Sequence, residues 1–118
     1  MADQTITPVQ VALNAGTTIA SASWASLTSS NDGVLVPPPD ARFLILARDS
    51  AGGATLTIKA GDGLAGSQGD IVISNMTQNL IYCVVAESAR VKNTSGADTG
   101  KIRIKASAAV SVACVELP

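Results

Sequence analysis

The sequence predicts an all-β protein: a single antiparallel β-sandwich, jelly-roll or immunoglobulin-like, spanning residues 1–118. Three observations predict it. Apolar residues come in short runs, several alternating with period two, and most of them are β-branched or small. Clusters of Gly, Pro, Asn, Asp and Ser separate those runs at the spacing of an all-β domain. No segment carries an apolar stripe of period 3.6, so nothing reads as an amphipathic helix.

The predicted strands follow in order. "TITPVQVAL" opens the chain, and residues 1–16 are read as an extended N-terminal arm or edge strand. "TTIASAS" and "GVLVP" come next, the second ended by a triple proline at 37–39 that lacks ladder donors. "RFLILARD" and "NLIYCVVAE" are apolar at successive positions, which predicts two dry faces. "ATLTIKA" and "KIRIKA" alternate, with Leu56, Ile58, Ile102 and Ile104 inward and the polar partners wet. "DIVIS", "ARVKN" and "AVSVACVEL" complete the set. A small two-sheet protein covers one face of each strand with its own second sheet. The doubly apolar runs therefore call for extra cover, from a sister subunit or from a bulge, a loop or the N-terminal arm.

Composition narrows the function. Charged residues make up 14% of the chain, against roughly 25% in an average domain. Such a surface costs little to desolvate at a protein contact. The net charge of −1 gives no field to draw in nucleic acid or acidic lipid, and three aromatic residues make no stacking platform. No apolar run approaches the ~18 residues of a membrane span. "MADQTITP" has no apolar core of a signal peptide, so synthesis in the cytoplasm is expected. Cys83 and Cys114 could bridge neighbouring strands as a disulfide, but in that compartment they read as buried free thiols.

Chemistry-bearing motifs are few. "GDGLAG" at 61–66 spells the dinucleotide fingerprint after a strand, but the continuation has no helix to hold a phosphate, so it reads as a glycine-rich loop. The chain has no histidine, which removes imidazole-based triads and metal sites together. Asp32, Asp40, Asp49, Asp62, Asp70 and Asp98 fall in predicted turns, where aspartate bonds its own backbone. Asp62 and Asp70 flank the glycine-rich loop without the ligand ladder of a calcium loop. "NMT" and "NTS" match the glycosylation pattern and, without secretion, read as turn and strand-end residues. No enzyme and no cofactor is expected. One charge pattern remains. A hairpin over 88–105 with Val91, Ile102 and Ile104 inward would put Arg90, Lys92, Lys101, Arg103 and Lys105 on one outer face. Like charges there cost ~0.2–1 kcal/mol per facing pair, repaid by an acidic partner or tolerated as a solvated edge that deters strand addition.

With that strand order in hand, the stretches "NDGVLVP", "ARFLILARDSAGGATLTIKAGDG", "GDIVI", "ESARVKN", "GKIRI" and the terminal "VELP" resemble small head-decoration, minor capsid or cement proteins of tailed bacteriophages. The resemblance covers residues 31–118, with "TLTIKAGDG" and "ESARVKN" its most specific parts. It implies a virion structural protein on the capsid exterior, made in the host cytoplasm, bound to the major capsid protein lattice and without catalysis. It also implies an oligomer, a homotrimer being favoured, and "LIYCVVA" or "RFLILA" is expected at its interface. The alternative is a carbohydrate-binding or adhesion module of a phage tail or baseplate, for which only Trp24, Phe43 and Tyr82 offer rings.

Overall fold

The computed structural model describes residues 3–36, 42–62, 69–94, 96 and 100–117. The triple proline, Asp40, Asp98 and residues 63–68 of the glycine-rich loop lie outside the described residues. Strands dominate: β1 Gln4–Ile6, β2 Val9–Gln10, β3 Ala25–Leu27, β4 Gly33–Leu35, β5 Arg42–Arg48, β6 Leu56–Ile58, β7 Ile71–Ile73, β8 Ile81–Glu87, β9 Ile102–Ala106 and β10 Val110–Glu116. A 3-10 turn at Ser21–Ser23 and a single helical turn, α1 (Ser88–Val91), complete the described elements.

The strands form two mixed sheets packed on one core. Sheet A runs β1-β4-β9-β6-β7. Sheet B runs β2-β10-β5-β8, with β3 also paired to β10 on the β2 side. The expectation of a purely antiparallel sandwich is corrected here: β1 runs parallel to β4, and β2 parallel to β10. Pro8 is the physical reason. It has no N–H for a ladder, so "TITPVQV" cannot continue as one strand. The chain breaks there and crosses from sheet A to sheet B, which ties the N-terminal segment to both.

Two other readings change. "TTIASAS" forms no strand, and the pairing instead begins at "ASL", where Ala25 and Leu27 point inward and Ser26 outward. "ARVKN" is not a strand either. Residues 88–91 close one helical turn through Lys92 N–H to Ser88 C=O at 2.8 Å, which buries Val91.

The core follows the alternation. Phe43, Ile45 and Ala47 of β5 and Val110, Val112 and Cys114 of β10 meet Leu56, Ile58, Ile102 and Ile104 of sheet A. Ile6, Leu27, Leu35, Met76 and Val91 close it at the margins. Loops are held by specific polar contacts. The buried Asp49 carboxylate accepts the Ala54 N–H at 2.9 Å and the Ala51 N–H at 3.1 Å, folding "DSAGGA" back on itself with Gly52 and Gly53 both at φ 86°. Gly61 passes so close to the Val91–Lys92 backbone that a Cβ there would collide with the Lys92 carbonyl.

Candidate functional site

The two sheets present outer faces of different character. On sheet A the outward positions are Thr5, Val34, Arg103, Lys105, Thr57 and Val72, brought into line by the registers of β1, β4, β9, β6 and β7. That face is polar, and its charges pair within the chain. Arg103 Nη1 lies 2.9 Å from Asp3 Oδ2 and 3.1 Å from Asp32 Oδ2, while Lys105 Nζ reaches Asp32 at 3.7 Å. Asp32 N–H donates back to Asp3 Oδ1 at 3.2 Å. The hydrogen bond from Arg103, then that from the Asp32 amide, holds the Asp3 carboxyl below the ordinary carboxylate range. Arg103 thus staples β1 to β4 and β9.

This geometry divides the five expected partner-contact cations. Arg103 and Lys105 lie side by side on β9, engaged with Asp3 and Asp32. Lys92 and Lys101 are half-buried at the base of the 93–100 loop, where Asn93 N–H donates to the Lys101 carbonyl at 3.0 Å. Arg90 leaves the group. The helical turn, absent from the expected hairpin, swings it away to line a groove of about 540 Å³ with Arg42, Ile71, Val85, Ala86, Glu87 and Ala89. Its Nη2 reaches the Gly69 carbonyl at 3.4 Å, and its Nε is buried without a hydrogen-bond partner. The single five-cation face is therefore corrected to a β9 pair, a loop-base pair and one guanidinium in a groove.

Sheet B is the opposite. Its registers place Val115, Leu44 and Val85 in one outward row, Ala113, Leu46 and Cys83 in the next, and Ser111, Arg48 and Ile81 in the third. Val115 and Ala113 are buried and Leu44 and Leu46 half-buried, so the open apolar surface lies on the β8 side. Ile81 is 56% and Val85 59% exposed, and Leu80 just before β8 is 55% exposed. The dry second face expected for "LIYCVVA" is not supplied by this chain: the outward side chains of β8 meet solvent. Cys83 is on that face, which corrects the expectation that both thiols are buried; both remain free. Cys114, inside the core, has its thiol pushed up to about 12 by burial. At one end of the face Trp24 is half-buried and shares a pocket of about 260 Å³ with Ser21, Arg48, Ile81 and Ser111. A second groove joins Trp24 to Gln4, Thr5 and Thr7 of the N-terminal segment.

Asp62 and Asp70 hold backbone. Asp70 accepts the Ala60 N–H at 2.7 Å and pairs with Lys59 at 2.8 Å, the amide contributing most to its lowered pKa. Asp62 accepts the Thr94 N–H and hydroxyl at 2.6 and 2.7 Å. These two carboxylates tie the chain on either side of residues 63–68 to Ala60, Lys59 and Thr94. Among the described residues no three potential metal ligands cluster, and no helix is long and apolar enough to cross a membrane. No protein-family model, curated protein or solved structure matches the chain.

Proposed function

We propose that this chain is a bacteriophage virion structural protein that binds the outer surface of the capsid and stabilises the assembled head. The observation that carries the reading is the apolar outer face of sheet B on a charge-poor chain, a surface suited to burial against protein. Its mechanism is mechanical. A protein that binds the assembled lattice and not its free subunits stabilises the lattice by mass action.

The proposed architecture is a jelly roll, which the strand order supports over the immunoglobulin-like alternative. Without the N-terminal β1 and β2, the eight remaining strands run β3-β10-β5-β8 in one sheet and β4-β9-β6-β7 in the other. From β3 to β10 every connection crosses between the sheets except β6–β7, which stays within sheet A, the connectivity of two Greek keys. Capsid subunits and lectins both use this architecture, so the fold supports the class by analogy only. The proposed partners are the major capsid protein lattice and further copies of this chain. The threefold stoichiometry expected from the resemblance rests on the symmetry of such lattices, not on a contact within this chain.

Co-sedimentation tests the reading. Purified protein is expected to pellet with expanded heads of its phage and to stay in the supernatant with unexpanded heads. Failure to pellet with either would reject it. One observation favours the carbohydrate-binding alternative: Trp24 lies beside Arg48 and Ser111 in a shallow pocket, the ring-plus-polar pairing that sugars use. Quenching of Trp24 fluorescence by host-wall glycans, without head binding, would favour that reading instead.

A further inference from the structure

We infer that β8 is a self-pairing edge: two copies of this chain join through antiparallel β8–β8 contact about a two-fold axis, continuing sheet B from one copy into the next. This goes beyond the capsid reading and does not depend on it.

The edge itself is the first observation. β8 is the outermost strand of sheet B and is bonded on one side to β5 over all seven residues. Among the described residues, no backbone group of Ile81–Glu87 bonds to anything beyond that ladder. Its sequence, "IYCVVAE", has no proline, no glycine and no charge before Glu87. Natural edges of this length carry lysine, proline or a bulge to block strand addition. This one carries none of them, so the occupant that satisfies its donors and acceptors is another extended strand.

The second observation is that β8 complements itself. A two-fold axis normal to the sheet keeps outward residues beside outward residues, so paired positions must sum to an even number. Centring on Val84 pairs all seven residues: Ile81 with Glu87, Tyr82 with Ala86, Cys83 with Val85. No like charges then face each other. Each Glu87 sits opposite Ile81 of the other copy, whose row also holds Arg48. The ion pair that Glu87 makes within its own chain, with Arg42 at 4.0 Å, is loose and mostly solvated, which leaves the carboxylate free to turn to that guanidinium.

The third observation is a knob and a hole. The exposed Leu80 and Ile81 at the start of β8 are brought to its other end in the partner, where the groove walled by Ile71, Val85, Ala86 and Ala89 opens. Such a contact closes at two copies, not the three expected from lattice symmetry. The paired edge is only about 23 Å long, at ~3.3 Å per residue, which places the interface at the small end of the range for stable complexes.

Sedimentation of the full chain between about 1 and 500 μM is expected to show a reversible monomer–dimer equilibrium. Val85→Lys, at an exposed position that leaves the core untouched, is expected to hold the mass at one chain over that range, with circular dichroism and thermal midpoint unchanged. Register is tested by crosslinking. In the proposed register Cys83 and its copy are diagonal neighbours ~7–8 Å apart, too far for a disulfide, whereas position 85 lies opposite Cys83 at ~5 Å. Val85→Cys is therefore expected to give a covalent dimer under mild oxidation, and Val85→Cys combined with Cys83→Ser to give none. A monomer at every concentration, a trimer mass, or a wild-type dimer linked through Cys83 itself would overturn the pairing. None of these outcomes bears on whether the protein pellets with heads.

Discussion

At the scale of single residues, the two cysteines give the sharpest contrast. Cys83 faces outward and Cys114 lies in the core with its thiol pushed up to about 12. A thiol reagent under native conditions is expected to titrate one equivalent in dilute protein, and a second only after denaturation, because the thiolate is the reactive species. Two fast equivalents would place Cys114 outside the core. Gly61 is a second such position. A side chain there would meet the Lys92 carbonyl, and backbone cannot step aside as a flexible side chain can. Gly61→Ala is expected to lower stability by about 1–3 kcal/mol, read from denaturant midpoints. The aspartates set the pH response. Backbone amides, led by Ala54 at Asp49 and Ala60 at Asp70, hold these carboxyls below the ordinary 3.8, and Arg103 does the same at Asp3. A depressed folded pKa contributes stability that is complete above the unfolded value and is lost as pH falls through the folded one. The thermal midpoint should therefore hold above about pH 5 and drop progressively below about pH 4. Asp49→Asn, which keeps one acceptor and loses the charge, should flatten part of that drop.

At the scale of elements, strands rich in large or β-branched apolar residues were legible, whether these alternate or run together, and the one built of small residues was not. Leu56, Ile58, Ile102 and Ile104 alternate with polar residues, and all four are fully buried. Ile104→Ala is expected to cost about 2–5 kcal/mol, while Val72→Ala, half-exposed on the outer face of β7, should be near neutral. Equal costs would mean that the outer face of sheet A is covered in the isolated chain. β3 escaped notice because Ala25 and Ser26 carry almost no strand preference; their pairing with β10 is imposed by tertiary contact. α1 escaped because four residues are too few to show a period, and "ARV" alternates as a strand would. That one turn is why the cation face was only half legible. It carries Arg90 into a different groove, whereas Arg103 and Lys105 share a face as their spacing requires. Their acidic partners were not legible at all. Asp3 and Asp32 are remote from β9 in sequence; Asp32 reaches it through the β4–β9 pairing and Asp3 through the β1–β4 pairing. The doubly apolar runs of β5 and β8 were plain in the sequence. Whether the chain covers its own second face depends on the path of every other segment, and only the fold decides that.

At the scale of the whole molecule, the division of labour between faces determines how it would meet a lattice. If sheet B joins copy to copy through the edge of β8, its outer face runs on across both copies and stays open to a capsid, and the polar face of sheet A and its margins offer a second surface. Arg103 and Lys105 contribute little net charge there, since Asp3 and Asp32 lie within ion-pair distance of them. Replacing them tests the fold as much as the docking: Arg103→Ser removes the staple on β1 and should lower the thermal midpoint whether or not heads are present. Lys92 and Lys101 make the cleaner test, because neither takes part in that network and both sit at the base of the 93–100 loop. Lys92→Ser with Lys101→Ser is expected to leave the thermal midpoint within about 2 °C of wild type, as surface substitutions do. If these cations meet an acidic capsid surface, the same pair should weaken head binding several-fold at low salt, with the difference vanishing near 1 M salt, where the screening length falls to ~3 Å. Identical binding at both salt concentrations would make them a solvated face. Decorated heads should carry the protein as paired lobes across local two-fold positions, because a two-fold dimer presents equivalent contacts to a lattice only where the lattice has the same symmetry. Three-lobed density on local threefold positions would instead assign the contact between copies to a surface other than β8.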